Sequence, residues 1–186
     1  MTPVLHVLAG PNGAGKSTFV ERVVKPATRL PFINADEIAA ERWRDPEGHA
    51  YEAARLAADR RRDLLSLGRS FITETVFSHP SETSLIAEAV DLGYHVTMHV
   101  IMVPLPLARA RVEDRVARGG HSVPPQKIGD RYSRLWGHVA DARHIASRTL
   151  IYDNSTIKNR FRTVAEYDRG MLAWHANWPL WSPLPL

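Results

Sequence analysis

The chain has 186 residues, 44% hydrophobic and 24% charged, with a formal net charge of +4. That length reads as one domain, 1–186, with enough chain to bury a core. Cysteine is absent, which excludes disulfides, thiolate catalysis and cysteine-ligated metals; no apolar run approaches the roughly 20 residues that span a bilayer. The apolar run 3–9 is too short for a signal peptide and lacks a basic flank, so a cytoplasmic location is expected. A positive balance suits partners that carry phosphate.

Short apolar runs at 4–8, 31–34, 70–73, 96–103 and 149–152 have strand length, and segments of helical periodicity separate them. The run after the first strand, 17–24, is helix-compatible. Asp45-Pro46-Glu47 reads as a helix start, with Gly68 placed to take the left-handed position after about Leu67. Pro80-Ser81-Glu82 opens a further helix, which Gly93 closes. Another covers 104–118 and ends at Gly119-Gly120. Pro124 starts one that runs to about Ser147. Beyond Lys158 the pattern weakens. Residues 174–186, with three of the five tryptophans, are expected to form an irregular tail packed on the body. Alternating strands and helices predict an α/β fold: a parallel sheet of about five strands covered on both faces.

Residues Gly10-Pro11-Asn12-Gly13-Ala14-Gly15-Lys16-Ser17 match G-x-x-x-x-G-K-[ST] in full, between a strand and a helix. This is a phosphate-binding loop of the P-loop NTPase type. Its glycines let backbone N–H groups curl around phosphates, Lys16 reaches the β and γ groups, and Ser17, followed by Thr18, can ligate Mg²⁺. The implied cofactors are ATP and Mg²⁺.

Three strand ends offer a carboxylate. Asp36, in NAD after the second strand, would sit where ligands bind in such sheets and can take a proton from an acceptor hydroxyl. Asn34 and Glu37 are also spaced as a capping box, which would make Asp36 a first-turn acid on the helix dipole; both readings can hold. Glu74 ends the third strand, where it could hold a Mg²⁺-bound water, position the acceptor, or stand exposed. Thr73 and Thr75 beside it either meet substrate or simply suit a strand. Asp153 has a local Walker-B pattern, but its late strand should lie beyond the fourth, nearer the nucleotide base, in a turn or base-pocket role.

Arg111, Arg115 and Arg118 share one helical face, and an anion would relieve their mutual repulsion. Arg131 and Arg134 can join them across GGHSVP, so that residues 104–134 form a lid over the phosphates, with His121 in its loop. His95 and His99 read as core or edge histidines. The triplet Arg60-Arg61-Arg62 reads as spread around a helix and solvated.

Together, GPNGAGKST, NADEIA, FITET, RVEDRVARGGHSVP with its following DRY, and YDNS resemble the zeta-toxin family of P-loop kinases. The resemblance implies a kinase-type fold, phosphorylation of UDP-N-acetylglucosamine, and neutralisation by a small antitoxin. It casts Lys16 and Ser17 as ATP–Mg²⁺ ligands, Asp36 as base and Glu74 as the residue that positions substrate. Arg115, Arg118 and Arg131 would stabilise the transferring phosphoryl, with Arg111 behind them. This chain places Thr75 directly after Glu74, where the family prototypes have Glu-x-Thr.

A switch GTPase would carry an N-K-x-D signature, and the chain has none. Phosphoryl transfer to a small molecule is therefore expected. One alternative is a nucleic-acid end kinase, disfavoured because no aromatic residues interleave with the basic helices. Another is a nucleotide-binding interaction module or ATPase that docks through its tryptophan-rich tail.

Overall fold

The computed structural model describes residues 2–120, 122–174 and 176–184. Seven strands form one sheet in the order β2-β3-β1-β4-β5-β6-β7. They are β1 Val4–Ala9, β2 Phe32–Ile33, β3 Phe71–Thr75, β4 His95–Met102, β5 Arg148–Asp153, β6 Arg162–Asp168 and β7 Met171–Trp174. The first five are parallel; β6 adds antiparallel to β5, and β7 antiparallel to β6. From β1 the chain moves outward to β2 and β3 on one side, then crosses to β4 on the other. The crevice at the carboxyl end of β1 is therefore the switch point of the sheet.

β4 explains why the sheet is covered twice. In HVTMHVIM every residue but the first is buried, the near-continuous pattern of a central parallel strand. On one face Leu8, Ile72 and Ile101 pack against Phe19, Val20, Val24 and Ala108. On the other, Leu5, Val7, Phe71, Met98 and Val100 meet Ile38, Ala53, Ala57, Ile86, Leu135 and Val139. Each fully buried large apolar side chain contributes roughly 1.5–3 kcal/mol.

The first helix starts at α1 Lys16–Phe19, widens into a π-helical turn over Val20–Val24, and continues as α2 Lys25–Thr28. Pro26 lacks the N–H for an i−4 bond, a direct cause of that widened turn. Then come α3 Ala35–Arg42, α4 Ala50–Ser66, α5 Pro80–Asp91, α6 Leu105–Ala117 and α7 Pro125–Arg143. α4 begins later than Asp45-Pro46-Glu47 suggests, because Asp45 Oδ1 accepts from the Gly48 N–H at 3.1 Å and closes a local turn. α5 has its expected start: Pro80 in the first turn, and His79 and Glu82 as a reciprocal capping box. α6 and α7 share a small core of Val112, Val123 and Ile128, apart from the main one.

The hairpin β6–β7 departs from the expected five strands. Pairing shifts at Glu166/Tyr167 break the alternation that would have marked it. Trp174 belongs to β7, and the irregular part begins after it. Trp178 and Trp181 pack on the core, Leu184 is buried, and the Asn177 N–H donates to the Val164 carbonyl at 2.8 Å. Two of the three tail tryptophans are thus partly buried against the body, and Trp174 is exposed. Among the described residues no helix is long and apolar enough to cross a membrane.

Candidate active site

The phosphate loop leaves β1 and is pinned from two sides. Gly13 and Gly15 hold φ of 77° and 92°, a left-handed region that favours glycine. There is also no room for a side chain. A Cβ on Gly13 would lie 2.5 Å from the Ala108 carbonyl oxygen, and one on Gly15 would lie 2.8 Å from Asn154 Nδ2. Asn154 Nδ2 donates to the Ala14 carbonyl at 2.8 Å. Arg111 donates to the Asn154 carbonyl at 3.0 Å and to the Gly13 carbonyl at 3.4 Å. Arg111 therefore clamps the loop. Asn154, which the sequence pattern only hinted at through YDNS, is the second clamp.

Lys16 is buried. Its Nζ donates to the carbonyls of Gly10 and Pro11 at 2.9 and 3.1 Å and lies 3.8 Å from Glu74 Oε1. Burial holds its pKa below the ordinary lysine value; Glu74 and Asp36 oppose that shift, and Arg115 and Arg131 add to it. Glu74 is in ion-pair reach of this ammonium, and Asp36 of α3, Arg115 of α6 and Arg131 of α7 add their fields to it.

A polar chain links the acids. Ser17 Oγ donates to Glu74 Oε2 at 2.9 Å, and Asn34 Nδ2 donates to the same oxygen at 3.2 Å. Asn34 Oδ1 in turn accepts from the Asp36 N–H at 2.7 Å. Asn34 is the N-cap of α3, but its amide also ties the Asp36 turn to Glu74. The Asn34–Glu37 reciprocal box is replaced by this arrangement. Asp36 itself is exposed, as a base that must meet substrate requires.

The donor set fits a nucleotide and a hard cation. No side chain caps α1 at Gly15, so its first-turn N–H groups meet no capping side chain. A hydroxyl and a carboxylate stand 2.9 Å apart at Ser17 and Glu74, oxygen ligands of the kind Mg²⁺ takes together with substrate phosphates. Pro11, Asn12 and Thr18 complete the loop without a distinct contact of this kind.

Other expected residues go elsewhere. Arg118 is exposed and pairs with Asp114 at 2.8 Å, and Arg134 is exposed on α7. Both oxygens of Asp153 are engaged: Oδ1 accepts from the Ser155 N–H at 2.8 Å, and Oδ2 from Arg162 at 3.1 Å. Its strand lies beyond β4, and its side chain closes a turn. His121 lies outside the described residues. Beside it, the Ser122 N–H donates to Glu47 at 3.0 Å and ties the α6–α7 loop to the segment before α4. His99 is a core residue, stacked on Tyr152 and 3.0 Å from His6; His95 is exposed. Burial, then His6 and Arg148, push the His99 pKa down to about 3, and burial pushes Tyr152 up to about 12.

Strand order, phosphate loop and the charges beside it define a P-loop, kinase-like nucleotide-binding fold. The chain belongs to the AAA-domain family, whose model matches residues 5–135. A comparison with curated protein sequences found no match. Among solved structures, the AvrRxo1-ORF1:-ORF2 complex with ATP is similar at 18% identity and TM-score 0.64, over 92% of this chain and 60% of that one. The PezAT chromosomal toxin–antitoxin system of Streptococcus pneumoniae is similar at 17% identity and TM-score 0.62, over 89% and 72%. A gluconokinase from Sinorhizobium meliloti is similar at 18% identity and TM-score 0.52, over 81% and 82%. At such identities these likenesses establish the fold.

Proposed function

We propose that the protein is an ATP-dependent kinase that transfers the γ-phosphoryl group to a hydroxyl of a small molecule. The observation that carries this reading is the polar chain at the loop: Lys16 lies 3.8 Å from Glu74, Ser17 donates to Glu74, and Asn34 ties Glu74 to the turn that bears exposed Asp36. A loop that only stores nucleotide needs no exposed carboxylate at that point. In the proposed reaction Lys16 and the loop N–H groups bind the β and γ phosphates. Ser17 and Glu74 would hold Mg²⁺, which supplies charge neutralisation on the phosphate oxygens. Asp36 takes the acceptor's proton as its oxygen attacks the γ phosphorus and the bond to the β-phosphate oxygen breaks. Arg115 and Arg131 offset the charge on the equatorial oxygens. Arg118 and Asp153 are left out, since each is engaged elsewhere.

The zeta-toxin resemblance makes UDP-N-acetylglucosamine the first acceptor to test, and the toxin–antitoxin character of the PezAT neighbour makes an antitoxin partner part of the same proposal. The test is ADP formation by purified protein with Mg²⁺, with and without UDP-N-acetylglucosamine, alongside Asp36→Ala. ADP that appears only with the sugar nucleotide, and is lost in the variant, supports acceptor and base together. ADP at the same rate without acceptor, or an unimpaired variant, overturns them.

A further inference from the structure

β3 has a second polar face. α4 packs on α3 and β2, α5 packs on β4 and α7, and the two helices part over β3. The gap is a cleft of about 250 Å³. Thr73 and Thr75 form its floor; Glu74, between them, points through the other face toward Ser17. Arg61 of α4 and Ser81, Glu82 and Ser84 of α5 wall it. An inner parallel strand normally turns apolar residues toward its covering helix. Both hydroxyls bond within the fold, Thr73 Oγ1 donating to the Ile33 carbonyl at 3.1 Å and Thr75 Oγ1 to Glu82, so the threonines give the cleft a polar floor without being its free donors.

Arg61 is the residue that the fold does not use up. The triplet was expected to be solvated, and Arg60 and Arg62 are exposed, Arg62 on Asp59 at 2.9 Å. Arg61 and Arg62 both line the cleft, Arg62 at its solvent edge, while Arg61 is half-buried, and burial holds its pKa below the ordinary value against the pull of Glu82. Among the described residues its one hydrogen bond is long, Nη1 to Thr73 Oγ1 at 3.5 Å. Glu82 is engaged in capping: it accepts from Thr75 Oγ1 and, at 2.7 Å, from the His79 N–H. A guanidinium carries five donors in a planar fork that matches a carboxylate or phosphate. Here Arg61 lines the cleft with a single long hydrogen bond among the described residues.

We propose that the cleft between α4 and α5 binds a small hydroxylated anion, a carboxylate or phosphate monoester of monosaccharide size. Its oxyanion seats on Arg61, and the Ser81 and Ser84 hydroxyls at the wall meet its own hydroxyls. The volume lies just below the usual range for ligand sites, which suits a ligand smaller than a whole nucleotide. Glu82 and Glu88 line the same cleft and disfavour ligands with several negative groups. The site is separate from the phosphate loop, so the inference does not rest on the transfer reaction. The anion is either a group carried by the acceptor or a free effector.

The test is titration by calorimetry with D-gluconate, glucose 6-phosphate and neutral glucose, in saturating ADP to keep the phosphate loop filled. At least one charged probe is expected to bind about tenfold more tightly than glucose. Arg61→Gln should weaken it by about tenfold while ADP affinity stays within about twofold. Ser84→Phe, which fills the cleft without touching the guanidinium, should cause the same loss. The proposal is overturned if neither charged probe outbinds glucose, if Arg61→Gln leaves their affinities unchanged, or if the loss follows Lys16→Ala instead. Steady-state kinetics then separate the two sources. For a group on the acceptor, Arg61→Gln raises acceptor KM and leaves ATP KM alone. For a free effector, the probe changes the rate at saturating acceptor, and Arg61→Gln abolishes that change.

Discussion

The parallel part of the sheet, β2 to β5, and the antiparallel hairpin β6–β7 carry different kinds of polar group. In the parallel part every strand ends on the same side, so the phosphate loop, Asp36 and Glu74 meet although they are far apart in sequence. In the hairpin successive strands reverse, and no such gathering occurs. Its charges pair one to one across the β5 edge, Arg162 with Asp153 and Arg148 with Glu166. Crossover connections concentrate function at one rim; the hairpin supplies closure.

The largest expected difference concerns arginines. If the charges that act on Lys16 mark the working residues, Arg115→Ala and Arg131→Ala should each lower kcat/KM about 10²-fold, roughly 3 kcal/mol of barrier. Arg118→Ala, at the C-cap of the helix that carries Arg115 but paired with Asp114, should stay within about threefold. ADP release assays on the three variants decide this, and an equal loss at Arg118 would erase the distinction.

Next comes acid sensitivity, which should reside in the parallel part. His99 stays neutral in the folded chain down to about pH 3, with His6, Arg148 and Tyr152 around it. In the unfolded chain it titrates near the ordinary value of about 6.5. The unfolded state therefore binds the extra proton as pH falls below that value. The stabilising contribution is complete above it and declines toward pH 3. Between pH 7 and 5 the loss should be on the order of 2 kcal/mol, read from urea midpoints, with a flatter profile in His99→Gln. An unchanged slope in that variant would assign the sensitivity elsewhere.

The smallest effect should come from the hairpin. Arg162→Ala removes a partly buried ion pair and should cost about 1–2 kcal/mol in thermal or urea unfolding, with ATP KM within about twofold. A large rise in KM would instead give Asp153 the nucleotide role its position first suggested.

The phosphate loop was legible because its chemistry requires fixed residue types at fixed spacing, and Pro80 and Gly93 marked α5 for similarly local reasons. Asp36 and Glu74 could be placed because strand ends in a parallel sheet share a rim. The hairpin was not legible, since bulged pairing removes the period-two signal. Arg61 was missed because a triplet on a helix says nothing about which neighbour leaves a gap beside it. Asn34 and Asn154 were seen as a cap and a turn. Their second roles depend on partners 40 and 140 positions away, distances that no local pattern reports.

The clamp on the phosphate loop has a mechanical consequence. α6 is fixed near its start, where Ala108 abuts Gly13, and again one turn later, where Arg111 grips two backbone carbonyls. A lever held at two points can swing only beyond the second. A closing motion of the kind proposed for a kinase would have to pivot past Arg111, in the last turns of α6 and the glycine pair at 119–120. Arg111 is bound to the frame, whereas Arg115 lies one turn beyond both anchors, so two arginines four residues apart stand on opposite sides of that limit.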